Sequence, residues 1–110
     1  MIVVGLCADW CHVCRGFRPA FERLAAEWPG ARFVWLDVED DAELVGDIEV
    51  EDFPTLAVFS GGRAVHFGAS APQEQVVRRL LQALLEAGRP DAGVPEAVAT
   101  LPRRLAHAIA

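Results

Sequence analysis

The succession of apolar segments predicts an α/β sandwich, a mixed sheet with helices on both faces. Three observations carry that prediction. A short apolar run, a long amphipathic segment and a second apolar run follow one another over residues 2–38, the pattern of a right-handed crossover between parallel strands. A Gly61-Gly62 pair separates two further apolar runs and signals an antiparallel hairpin. Helical segments precede and follow that hairpin, so both faces of the sheet can be covered.

Ile2 to Leu6 is apolar throughout and too short for a helix, which is the reading of a fully buried strand ending at Cys7. From Val13 to Trp28 the pattern is helical: Val13, Phe17, Phe21, Leu24, Ala25 and Trp28 recur at three- and four-residue spacing, with Arg15, Arg18, Glu22 and Arg23 opposite. Pro19 should kink this helix and Pro29-Gly30 should end it. Phe33 to Val38 is the second strand. Asp40 to Gly46 reads as a short helix whose first-turn acids suit the helix dipole. Thr55 to Ser60 and Arg63 to Phe67 are the hairpin strands, the second closed by Gly68. Gln73 to Gly88 is a last amphipathic helix on Val76, Val77, Leu80, Leu81, Leu84 and Leu85. Residues 89–93 look like a linker, and Val94 to Ala110 can form a weak helix broken near Pro102.

With 110 residues, 53% of them apolar, the chain is long enough for one domain with a real core and is not a disordered segment. No apolar run reaches the length of a membrane-spanning helix, and the first residues lack the pattern of a secretory signal. Ten basic against sixteen acidic residues, a net charge of −6, argue against nucleic acid or an anionic membrane surface as partner. All ten basic residues are arginine, which we read as a coding bias. The three cysteines, Cys7, Cys11 and Cys14, lie within eight residues of one another; a disulfide-stapled fold would spread them along the chain. They mark a site.

Cys11-His12-Val13-Cys14 is a C-x-x-C at the junction of a buried strand and a long helix. Two intervening residues bring the sulfurs within disulfide reach in one helical turn. The unpaired N–H groups and positive end of the helix dipole stabilise a thiolate, the nucleophile of disulfide exchange. Cys11, at the helix entrance, should be the exposed attacker and Cys14, one turn further, the resolving thiol. His12, when protonated, would favour the thiolate and make the disulfide more oxidising, or it is merely a solvated residue at a helix start. Val13 is the other residue that tunes the pair.

Here the chain resembles the thioredoxin family. Ala8-Asp9-Trp10-Cys11-His12-Val13-Cys14-Arg15 is similar to the family's Ala-x-Trp-Cys-x-x-Cys-Lys/Arg signature. Pro19 matches its helix proline, Phe53-Pro54-Thr55 its cis-proline segment, and Gly62 and Gly68 its later glycines. The resemblance implies a thioredoxin-like three-layer α/β/α sandwich in minimal form: β-α-β, short helix, β-hairpin and α, without the family's usual first strand and helix. Residues 1–88 would be that domain, and 89–110 a linker and C-terminal helical tail that covers surface left by the absent elements. A first strand upstream of Met1 would lie outside this numbering. Trp10, Phe53 and Pro54 would bind substrate, Trp10 as a lid on the groove unless it belongs to the core, and the Phe53 backbone by pairing with an extended peptide.

Two departures from the family pattern stand out. Gly5 occupies the place of a buried aspartate beneath the second cysteine, and Trp35 that of its lysine neighbour, so packing volume replaces a polar pair. Cys7 stands where an aromatic residue is usual. It is either a small apolar filler, a candidate third thiol able to exchange with the pair, or a metal ligand. Its spacing to Cys11 and Cys14 also occurs in radical enzymes that hold an iron–sulfur cluster, but those need a far larger barrel. A zinc site from the three cysteines and His12 is awkward at a strand-to-helix turn.

Residues 37–52 hold nine acids and no base. Glu51 and Asp52, just before Phe53-Pro54, should lie near Cys11, where they would disfavour the thiolate and acidic partners, or they form a solvated face. The resemblance implies a thiol–disulfide oxidoreductase acting on protein substrates, needing no cofactor or metal, only electrons from a reductase or glutathione. It would work in the cytosol, in the reducing direction, as a monomer, with the edge left by the absent first strand as a route to a dimer. An oxidant or isomerase, and a binding module with structural or vestigial cysteines, are the rival readings.

Overall fold

The computed structural model describes residues 1–86 and 91–109. Its sheet has the strand order β2-β1-β3-β4, with β1 (Ile2–Cys7), β2 (Arg32–Asp37), β3 (Thr55–Ser60) and β4 (Arg63–Ala69). β1 pairs with β2 in parallel and with β3 antiparallel, and β3 pairs with β4 antiparallel. A central strand loses both faces and both edges to the protein, and the wholly apolar composition of β1 fits that position. β2 lies at the edge and is only half-buried over Phe33–Trp35. The hairpin turn uses Gly61 and Gly62 at φ +59° and +80°, the left-handed conformations that a two-residue turn of matching twist demands.

Side chains alternate across β1, and the two sets meet different layers. Val3 faces a cluster with Phe17, Phe21 and Leu24 from α1 (His12–Glu27) and Val77 and Leu81 from α3 (Glu74–Glu86). Val4 and Leu6 face the opposite layer, made by α2 (Ala42–Val45), α4 (Glu96–Ala99) and α5 (Leu101–Ile109). There Val98, Leu101 and Leu105, each 0–1% exposed, close over Val4, Leu6, Leu36 and Phe59. The C-terminal segment is therefore one of the two covering layers. Arg104 fastens it: its guanidinium donates to Leu44 O at 2.7 Å and Val45 O at 3.3 Å, the open carbonyl end of α2, and to Ala97 O at 2.7 Å.

The expected sandwich is present, with differences in detail. α1 runs unbroken through Pro19. Val13 and Val76, counted on apolar helix faces, are 42% and 43% exposed. The buried stripe of α1 is Cys14, Phe17, Phe21 and Leu24, and Val13 lies one residue, or about 100°, off it. Val76 is similarly offset from Val77 and Leu81. Gly68 lies inside β4 instead of closing it. The break in the tail falls at Thr100, ahead of Pro102, which sits in the first turn of α5 where its missing N–H is harmless. The expected end of α3 at Gly88 and the first part of the linker lie outside the described residues.

Candidate active site

The site forms where β1 ends and α1 begins. Cys11 is the N-cap of α1, with φ −82° and ψ 118°. Its N–H donates to Ala8 O at 2.9 Å, closing the turn, and its carbonyl accepts from Arg15 N–H at 3.1 Å, opening the helix. The Cys11 side chain is partly exposed and its thiol is free. His12 and Val13 follow on the solvent side of the first turn.

Trp10 is 62% exposed, which excludes a core role. Its indole N–H donates to Glu39 Oε1 at 2.9 Å, and its ring meets Phe53 edge-on at 5.6 Å between centroids. That contact brings the loop before β3 against the cysteine loop. The Phe53–Pro54 bond is cis and Pro54 is buried. Cys11, Trp10, Phe53 and Pro54, picked out separately in the sequence, thus share one end of the sheet.

The cysteines pair in an unexpected way. Cys14 is bonded to Cys7, with Cα atoms 5.8 Å apart, and not to Cys11. Strand alternation explains the reach: Val3, Gly5 and Cys7 point to the α1 layer, and Cys14 belongs to the buried stripe of that helix. Both bonded residues are 1% exposed. Cys7 is therefore a partner of Cys14, which corrects its reading as an apolar filler.

Asp37, which was not singled out in the sequence, organises the loop. It sits at the end of β2 in register with Cys7 and is 9% exposed. Its carboxylate accepts backbone N–H groups from Asp9, from Glu39 at 2.8 Å and from Asp40 at 2.9 Å. Those bonds, the one from Asp40 foremost, hold its carboxyl below the ordinary aspartate value against the opposing effect of burial. Its charge in turn raises Asp40. An acid at a strand end followed by further acids was the available signal. Glu51 and Asp52 are exposed and border a groove of about 560 Å³ with Asp47 and Glu49; none of the cysteines lines it. Among the described residues no group of three or more His, Cys, Asp or Glu is placed to hold a metal ion.

The thioredoxin family model matches residues 1–82, three quarters of the chain. The chain belongs to the thioredoxin family. Thioredoxin H2-2 of Oryza sativa subsp. japonica is 31% identical over 80 residues, covering 73% of this chain and 60% of that protein. Thioredoxin-2 of Saccharomyces cerevisiae is 34% identical over 65 residues, 59% of this chain and 62% of that one. The chain thus spans about three fifths of these curated thioredoxins. Among solved structures, Fasciola hepatica thioredoxin superposes with a TM-score of 0.67 at 30% identity, covering 74% of this chain and 78% of that one.

Against the thioredoxin pattern, the absent aspartate is replaced by packing. Gly5 pairs with Trp35 across the sheet, and a Cβ built on it would meet Phe21 Cε1 at 3.2 Å and Trp35 Cε3 at 3.4 Å. Phe21 and Trp35 stack edge to face at 5.4 Å, filling the space beside the strand.

Proposed function

We propose that the protein is a thioredoxin-like thiol–disulfide oxidoreductase acting on protein disulfides in the reducing direction. The Cys11 thiolate attacks one sulfur of a substrate disulfide, a Cys11–substrate bond forms, and the other substrate sulfur leaves as a thiolate. Cys14, in its reduced form, then attacks Cys11 Sγ and expels the second substrate sulfur, leaving an intramolecular disulfide. A reductase or glutathione returns the two electrons. Trp10 and the Phe53–Pro54 segment form the wall against which an extended peptide lies, and His12 and Val13 tune the pair.

The observation that supports this reading is a free thiol at the N-terminal end of a 16-residue helix, next in sequence to Trp10, which contacts the residue preceding a cis proline. The cis-proline wall supplies peptide contact. We place the protein in the cytosol as a monomer.

The test is trapping. Cys14→Ser, alone and combined with Cys7→Ala, removes the thiols able to resolve an intermediate. Incubated with a disulfide-bonded substrate such as insulin, both variants should accumulate covalent adducts that dithiothreitol releases, and adding Cys11→Ser should abolish them. A Cys14→Ser variant that forms no adduct would replace exchange with the binding-module reading.

A further inference from the structure

We propose that Cys7 is a third thiol of the exchange reaction and that Cys14 passes between Cys11 and Cys7. The inference rests on the exchange chemistry just described and adds a residue to it. Cys14 is bonded to Cys7 from the strand side, with Cα atoms 5.8 Å apart. Cys11 is the N-cap of the helix whose first turn carries Cys14, and the two residues between them leave the sulfurs within disulfide reach. Cys14 thus has two sulfurs within reach, one buried and one open to solvent.

The step balances without an outside redox partner. The Cys11 thiolate attacks Cys14 Sγ, the Cys11–Cys14 bond forms, the Cys7–Cys14 bond breaks, and Cys7 leaves as a thiolate that takes up a proton. The reverse step moves the disulfide inward and frees Cys11. Burial gives the exchange a direction of access. Cys7 and Cys14 are each 1% exposed, so a dissolved reductant cannot approach their bond in line. Electrons reach it after Cys11 has drawn Cys14 into a disulfide at the surface. In the inward state Cys11 keeps its nucleophile while the resolving thiol is occupied, so a mixed disulfide made then persists until an external thiol cleaves it.

The first arm of the test maps the disulfide. The oxidised wild-type protein is acid-quenched, blocked with N-ethylmaleimide and cut before Asp9 and Asp37 with endoproteinase Asp-N, which separates Met1–Ala8 from Asp9–Leu36. We expect a population in which these peptides are joined by a disulfide and Cys11 alone carries the blocking group. If Met1–Ala8 is always released with Cys7 blocked, the third thiol is refuted. The second arm measures how fast glutathione reduces the Cys7–Cys14 bond in wild type and in Cys11→Ser. We expect at least a tenfold slower reduction in the variant. Equal rates would refute the relay and leave a structural disulfide.

These outcomes separate from those of the trapping experiment. Trapping with only a Cys11–Cys14 disulfide refutes the third thiol and keeps the enzyme. Failure to trap refutes the enzyme whatever the map shows.

Discussion

Leu105→Ala tests whether the C-terminal segment is part of the folding unit. Leu105 is 1% exposed and shares its cluster with Val4, Leu6 and Phe59 from the centre of the sheet. Truncating a leucine in a closed core costs its transfer free energy plus a cavity term, about 2.7–5 kcal/mol in well-packed sites. We expect about 3 kcal/mol here, near the lower end of that range. That is a large share of the roughly 5–15 kcal/mol that holds a domain together. With a urea slope of about 1.5 kcal/mol/M for a chain of this size, the unfolding midpoint should fall by about 2 M. The assay is equilibrium urea unfolding followed by tryptophan fluorescence, with wild type and variant at the same redox state. Val76→Ala, on an exposed face, is the control and should change stability by less than about 0.5 kcal/mol. If Leu105→Ala also stays within about 0.5 kcal/mol of wild type, the C-terminal segment does not complete the core.

Three further predictions follow from other parts of the molecule. The Asp37 carboxyl is held below its ordinary value of 3.8, so the unfolded chain takes up that proton first as pH falls. Its stabilisation is complete above the unfolded value and lost as pH drops through the native one; acid unfolding of Asp37→Asn should be flatter there, and an unchanged profile would remove Asp37 from the account. Burial lowers His66 below 6.5, and its Nε2 has no hydrogen-bond partner among the described residues. The unfolded state therefore protonates first, and stability should decline as pH falls below about 6.5 toward the native value, a decline that His66→Leu removes in pH-resolved urea titrations. Gly5→Asp, which restores the family's carboxylate, should destabilise by at least about 3 kcal/mol, because its Cβ crowds Phe21 and an unpartnered carboxylate would be buried. A stable Gly5→Asp protein in the same urea assay would show that the site still accommodates the acid.

The features legible in the sequence were those whose chemistry is local. Gly61-Gly62 specifies its turn through backbone conformation alone, and the apolar run of β1 announces a strand buried on both faces. Cys11, Trp10 and Phe53-Pro54 were found as separate motifs, and the fold brings them to one end of the sheet. Spacing alone did not reveal the Cys7–Cys14 bond. Proximity in the chain favours Cys11 as the partner of Cys14, whereas the pairing follows from two facing directions: the odd-numbered face of β1 and the buried stripe of α1. Those directions could have been read from Val3-Gly5-Cys7 and from Cys14-Phe17-Phe21-Leu24. Val13 fits the apolar spacing but lies outside the longer stripe of Cys14, Phe17, Phe21 and Leu24, and that longer stripe is the one buried. Asp37 was hidden within the acidic run, where only the backbone turn that follows β2 distinguishes it from its solvated neighbours.

Disulfide exchange at Cys14 is best tested by a redox titration in dithiothreitol and glutathione buffers, with the alkylation state of each cysteine read by mass spectrometry. A reductase with Cys14 at its centre predicts a two-electron transition closer to about −270 mV, the thioredoxin value, than to about −180 mV. Cys14 should become oxidised in every disulfide formed, with Cys11 and Cys7 sharing the other position. A protein in which Cys14 stays a free thiol across the whole range would contradict the account.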